Sequence, residues 1–252
     1  MNYLSVAEAR ARSGLRLVLT TGVPGPWGEA AKALFKLRGV PFAPVEQIAV
    51  AANEDLVAWT GMRNAPIAVF NREPPVGGWL EILLLAERLG SGPSLLPDDP
   101  FDHALALGLS CELCGTGGFG WSRRVMLMPA ADQAIPAEMR TALSAYGLGT
   151  EDIAQATAKV IAVLDALATQ LDRQRGAGSD YLVGDRLSAV DIYWACFSQM
   201  IAPLSPELCP TPEQIRANYG SITPAVRAAL DPALLAHRDR IFERHIGLPL
   251  DF

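Results

Sequence analysis

Apolar and polar positions along the chain follow one rule up to about residue 90 and another beyond residue 100. The run LRLVLTT, residues 15–21, is apolar and β-branched, and Gly22, Pro24, Gly25 and Pro26 follow at once. That combination predicts a buried strand that ends in a loop. In Glu29–Arg38 the apolar residues Ala30, Ala33, Leu34 and Leu37 share one helical face, and Gly39 stops the helix. Phe42–Val50 reads as a second strand, Asn53 as the cap of a short helix through Trp59, and Pro66–Phe70 as a third strand. Val76 is placed to hold an edge strand after Pro74–Pro75, and Trp79–Leu89 is apolar on nearly every side, as a deeply packed helix is. The order β-α-β-α-β-β-α implies a small mixed sheet covered on both faces.

Beyond the Gly/Pro-rich stretch SGPSLLPDDP, residues 91–100, no comparable strand pattern occurs. Phe101–Leu113, Pro136–Tyr146, Glu151–Gln174, Ala189–Ile201, Pro212–Asn218 and Pro224–His245 read as helices, several opened by a proline in the first turn. The division expected is an N-terminal extension over 1–14, in which Ser5 caps a short helix. An α/β domain over 15–92, a linker over 93–100 and an all-helical domain over 101–252 follow.

Charge narrows the function classes. The formal net charge is −6 with no block of like charges, which argues against nucleic acid, since a phosphate-binding face needs clustered Lys and Arg. No stretch has the roughly 18 apolar residues of a membrane span, and the N-terminus lacks a secretory layout, so a cytoplasmic location is expected. Four cysteines are too few for a disulfide framework in 252 residues. Cys111 and Cys114 form a CxxC inside a predicted helix, where two thiols on one face are either packed and inert or a functional pair. Gly115–Gly120 formally contains GxGxxG but follows a helix, so it predicts a break or bend there and no nucleotide site. His103, His237 and His245 have no metal or triad spacing, and no metal is expected; the last two fall in a basic helix read as surface.

The segment YLVGDRLSAVDIYWA, residues 181–195, has a legible local chemistry. Ser188 is a good N-cap, Asp191 can return a hydrogen bond to the Ser188 N–H, and Leu187 and Ile192 flank the cap as a staple. The whole string resembles the capping-box segment in the helical domain of cytosolic glutathione transferases. The front half agrees, because Gly39-Val40-Pro41-Phe42 is similar to the family's entry into its second strand. Ala65-Pro66-Ile67 stands where the family's cis-proline opens the third. The resemblance therefore implies a thioredoxin-like N-terminal domain followed by an all-α helical bundle, assembled as a homodimer.

The resemblance also implies a glutathione site in the interdomain cleft, with Ala65 and Pro66 presenting backbone to the cysteinyl part. Three positions depart from the family pattern. Where many members carry Ser or Cys, this chain has Gly25-Pro26-Trp27-Gly28. At the place of the catalytic tyrosine stand Thr20 and Thr21, whose hydroxyls either donate to a thiolate or belong merely to good strand formers. Gly77 and Gly78 replace the acidic-Ser pair that holds the γ-glutamyl end, although a helix N-terminus there still suits a carboxylate.

Thr20 and Thr21 are thus the candidate catalytic groups, and Gly25, Trp27, Ala65, Pro66, Gly77 and Gly78 the candidate glutathione contacts. The expected activity is conjugation or exchange of glutathione on a small electrophile. The alternative is a non-catalytic relative that holds an apolar ligand or acts as a scaffold. A fold shared by enzymes and non-enzymes does not decide between them.

Overall fold

The computed structural model describes residues 1–127 and 153–252. The helix expected over Pro136–Tyr146 and the first two residues of the one expected over Glu151–Gln174 lie outside the described residues.

Strand β1 (Leu15–Thr20) is the middle strand of a three-stranded sheet of order β2-β1-β3. β2 (Phe42–Gln47) runs parallel to it with Thr20 opposite Gln47, and β3 (Ile67–Phe70) runs antiparallel with Val18 opposite Ile67. A middle strand is covered on both faces, which is why β1 is apolar at four of its six positions, and its buried Arg16 donates to Gly14 O and Asn71 O at 2.8 Å. Leu15, Leu17 and Leu19 pack in one core cluster with α2 (Pro26–Leu37) and α4 (Trp79–Leu89). Val18 points the other way, into a smaller cluster with Val45, Leu56, Ile67 and Ala9.

That second face is closed by α3 (Glu54–Thr60) and by α1 (Val6–Arg10), which a Ser5–Glu8 capping box starts. Leu4 bridges Val45 in parallel, with Leu4 N–H donating to Pro44 O at 2.9 Å, so the N-terminal segment is stitched to the β2 edge.

Several boundaries differ from expectation. Helix α2 begins at Pro26, three residues early, because a proline at the first helical position forfeits no hydrogen bond. Asn53 occupies the cap position of α3 but does not cap it: its backbone is left-handed (φ 50°) and its amide is spent on Ile48 and Ala51. Val76 makes a single antiparallel bridge to Ala68 and no strand, as expected where Pro74 and Pro75 supply no N–H donors.

The helical half runs α5 (Pro100–Cys114), α6 (Phe119–Met126), α7 (Ile153–Gly176), α8 (Ala189–Ser198), α9 (Glu213–Gly220), α10 (Pro224–Ala229) and α11 (Pro232–Ile241). A π-helical turn over Phe242–Ile246 follows. One helix was expected over Pro224–His245; the structure has three pieces. Asp231 accepts from Ala233 N–H and Pro232 takes the first position, so a fresh helix starts where the old one ends. Among the described residues no helix is long and apolar enough to cross a membrane.

Helix α8 lies at the centre, with all ten of its residues buried, between α2 of the sheet-bearing half and α5 and α11. Its start is organised by the fully buried Asp191. Oδ2 accepts from Ser188 N–H (2.9 Å) and Ser188 Oγ (2.8 Å), completing the predicted capping box. Oδ1 accepts from Leu182 N–H at 2.8 Å and from His237 Nε2 at 3.0 Å. Arg240, which can only donate, contacts His237 Nδ1 at 2.9 Å, so the ring proton facing Asp191 sits on Nε2. His237 is therefore a core residue, contrary to the surface role read from its basic neighbours.

Asp191→Asn turns an NH2 group toward a pair of donors in this site and removes the buried charge that four donors surround. The expected loss is about 3 kcal/mol of unfolding free energy, against about 1 kcal/mol for Ser188→Ala. Urea denaturation followed by circular dichroism measures both.

Candidate functional site

A cavity of about 380 Å³ opens where the N-terminus of α2 meets α6 and α9. Its front wall carries Leu19 and Thr20 from the end of β1, Gly25 to Glu29 from α2, and Ala65. Across from these stand Arg124 and Leu127, Met200, and Ile215, Asn218 and Tyr219. The Ala65–Pro66 peptide is cis. Ala49 and Val50 form the rim, and Val50 has a φ of 67°, a left-handed backbone that a β-branched residue seldom adopts.

The floor is the start of α2. Helix geometry leaves the first N–H groups of α2 without intrahelical acceptors, Pro26 has no N–H to give, and Gly25 brings no side chain to take up those of Trp27 and Gly28. The helix dipole adds partial positive charge at the same point, so this corner suits an anion. A side chain at Gly25 would meet nothing within 4 Å, whereas one at Gly28 would press on Leu19 Cδ2 at 3.3 Å.

Trp27 is held from three sides. Its Nε1–H donates to Cys114 O at 2.9 Å, Phe197 of α8 meets the ring edge-on at 4.6 Å, and the Arg124 guanidinium carbon lies 4.3 Å from the ring centroid. Arg124 is also 5.7 Å from the Trp121 ring, so its cation rests against two indoles. Gly120 makes this approach possible: a Cβ there would fall on the Phe197 ring and lie 2.9 Å from Trp27 Cη2.

The neighbouring Arg123 points the other way and is 1% exposed. It donates Nε–H to Met200 O (2.9 Å) and Nη2–H to the carbonyls of Asn218, Tyr219 and Ser221, the closest at 2.8 Å. Burial pulls its pKa down to about 10. Those carbonyls end α9, so a cation there also answers the helix dipole and fixes Tyr219 in the cavity wall. Burial raises the Tyr219 phenol pKa, with Arg124 and then Arg123 opposing.

Of the residues proposed from sequence, Thr20, Gly25, Trp27 and Ala65 line the cavity, and Thr21, Pro66, Gly77 and Gly78 do not. Gln47 Nε2 donates to Ile48 O at 2.8 Å, so the Gln47 Oε1 facing Thr20 must accept. The Thr20 hydroxyl proton is accordingly given to Gln47 at 2.7 Å, and the Thr21 hydroxyl donates to Gln47 O at 3.4 Å. Gly78 is the N-cap of α4, and the Glu81 carboxylate folds back into the space a side chain at 78 would fill. Gly77 abuts Met62 Sδ, 2.7 Å from where its Cβ would be. Trp79 is also off the wall, holding its carbonyl to Tyr193 Oη at 3.2 Å. Arg63, Asn64 and Arg72 are not on it either.

Tyr3, Glu29, Met200, Ile215, Asn218 and Tyr219 were not singled out from sequence, since only the tertiary fold brings them to one wall. Tyr3 arrives through the Leu4–Val45 bridge; burial, then the Glu29 and Asp251 carboxylates, push its phenol up to about 12. Glu29 is buried against Lys32 at 2.7 Å, and burial raises its carboxyl pKa. Cys114 donates its thiol to Ser110 O at 2.8 Å and burial raises its pKa well above the ordinary value, while Cys111 is exposed. Among the described residues no cluster of His, Cys, Asp and Glu could hold a metal ion.

The model of the glutathione S-transferase C-terminal domain family matches residues 150–240. A glutathione S-transferase structure from Methylobacillus flagellatus with glutathione bound is 13% identical, with a TM-score of 0.63 over 92% of this chain and 96% of that one. One from Methylobacterium radiotolerans, in complex with glutathione sulfonate, is 20% identical (TM-score 0.61, 93% and 92% covered). Glutathione transferase Omega 3C from Trametes versicolor is 17% identical (0.60, 96% and 90%). Identities this low speak for fold alone. No curated protein matches the sequence.

Gly120→Ala drives a methyl group into the Phe197–Trp27 contact. The expected cost is about 1–3 kcal/mol, with a change in the near-ultraviolet circular dichroism of the tryptophans. Gly25→Ala, which meets open space, leaves that spectrum unchanged.

Proposed function

We propose that the chain is a glutathione transferase-like protein, a reading supported by the match of residues 150–240 to the family's C-terminal domain and by the shared fold, and that it binds glutathione in this cavity and transfers it to a small electrophile. The observation that carries the reading is the α2 N-terminus. The Trp27 and Gly28 N–H groups and the helix dipole meet at one corner of the cavity, whose facing wall is largely apolar. A thiol placed there exchanges its proton for favourable electrostatics, since positive partial charge stabilises the thiolate and lowers its pKa.

The chemistry asked of the protein is modest. The thiolate sulfur attacks the electrophilic carbon, the leaving group departs with the bonding pair, and the thiol proton goes to solvent. Catalysis consists of keeping the thiolate populated and aligned. The backbone of Ala65 beside the cavity is available to the cysteinyl portion of the tripeptide, as the resemblance implies.

A second reading rests on Gln47. Because both threonine hydroxyls give their protons to it, and because Gly25 and Gly28 have no side chains, no described side-chain hydroxyl of β1 or the α2 start points a free proton at the sulfur position. On that reading the cavity stores a ligand and turns nothing over.

Calorimetric titration tests the binding step. Reduced glutathione is expected to bind between micromolar and millimolar Kd, and S-hexylglutathione more tightly because its tail reaches the apolar wall. Gly25→Phe fills the cavity from a position with free space around it, and a weakening of at least about tenfold is expected. Absence of heat and of thermal stabilisation at about 10 mM glutathione contradicts the proposal. Binding without any conjugation across an acceptor panel favours the storage reading.

A further inference from the structure

We infer that a second cavity, between α2 and the C-terminal tail, binds an amphipathic anion such as a medium-chain carboxylate, and that Lys36 receives its headgroup. The inference is independent of the glutathione reading, since the two cavities share a single lining residue, Glu29.

This cavity has a volume of about 620 Å³, against about 380 Å³ for the one at the α2 start, and lies within the range of small-molecule sites. One side of it is α2, where Ala33 contributes only a methyl group. The other side is the tail over residues 247–251. The chain folds back at Gly247, whose φ of 95° favours glycine, and Leu250 N–H donates to Leu208 O at 2.8 Å. Two lysines one helical turn apart tie the tail to α2 at its two ends: Lys36 Nζ donates to Ile246 O at 3.0 Å, and Lys32 Nζ to Asp251 O. Val40, Phe42, Ile246, Leu248 and Leu250 give the space apolar walls, which suit a hydrocarbon chain.

The charges on the lining residues do not cancel. Lys32 meets the buried Glu29 carboxylate at 2.7 Å, and the Asp251 carboxylate contacts the Met1 amino group. Lys36 has no carboxylate within 4.0 Å among the described residues, and Ile246 O takes one of its three N–H donors. A carboxylate headgroup meets the donors that remain, while its chain displaces water from the apolar walls. An uncharged chain of the same length gains the second contribution and not the first.

Decanoate and decanol share a ten-carbon chain and differ in the charge of the head. Calorimetric titration of the full chain is expected to show decanoate binding roughly fivefold more tightly, the size of an ion pair with an exposed lysine. Added salt should narrow that gap by screening it. Lys36→Gln should bring the two affinities together, and Lys36→Arg should keep them apart. Gly25→Phe, which fills the cavity at the α2 start, should leave decanoate binding unchanged. Equal affinities for the two probes on the unmodified protein overturn the inference without any variant having to fold. An unchanged ratio in Lys36→Gln overturns it too. Loss of decanoate binding in Gly25→Phe also overturns it, by assigning the probe to the other cavity. If decanoate fails to bind at about 1 mM, the inference falls and the glutathione reading stands untouched.

Discussion

The structure depends first on a single buried carboxylate. Asp191 has no exposure to water, and four donors from three parts of the chain converge on its two oxygens: the Ser188 N–H and hydroxyl, the Leu182 N–H, and His237 Nε2. An unpaired carboxylate in that position would be prohibitive. Only when the 182–188 turn, the α8 start and α11 are all in place is the charge satisfied. The requirement orients α8, whose residues Tyr193 and Phe197 then meet Trp79 and Trp27 edge-on. Trp27 in turn carries Arg124. A constraint in the centre of the helical half is thereby transmitted to the cavity in three contacts.

Two adjacent arginines divide the labour on the other side. Arg123 is sealed inside, spending its donors on backbone carbonyls of Met200 and of the end of α9. Arg124 lines the cavity. Neighbouring positions on a helix point about 100° apart, so one residue separates the sealed cation from the one on the cavity wall. The short α6 exists as a separate helix because Gly115 to Gly118 break away from α5, and Gly118 caps the new start. A GxGxxG string that suggests phosphate binding in other settings is a helix junction in this one.

The sequence carried most of the fold because its signals were local. The largely apolar run of β1 and the Ser188–Asp191 box can each be read within about ten residues, and the structure contains both. Boundaries went wrong where a local signal competed with another, as at Asn53, whose amide bonds backward to Ile48 instead of capping α3. The site was legible only on one wall. Gly25, Trp27 and Ala65 could be placed by their spacing from Gly39 and Pro66, but Tyr219, Ile215 and Met200 reach the cavity through contacts between distant segments. No periodicity encodes such a meeting. The role of His237 was hidden for the same reason, since its partner Asp191 lies 46 residues away.

On the transferase reading, the absence of a Ser, Cys or Tyr at the usual positions leaves thiol activation to the N–H groups and dipole of the α2 start. That assignment is the central claim, and the ionisation of bound glutathione tests it most directly. Thiolate absorbs in the ultraviolet where thiol does not, so a pH titration of the complex by difference spectroscopy reads its pKa. The account predicts a midpoint below the value near 8.5 of an ordinary cysteine thiol by about one unit or more. A bound thiol that titrates at or above that ordinary value would contradict it, and would leave the cavity as a binding site without the means to activate its ligand.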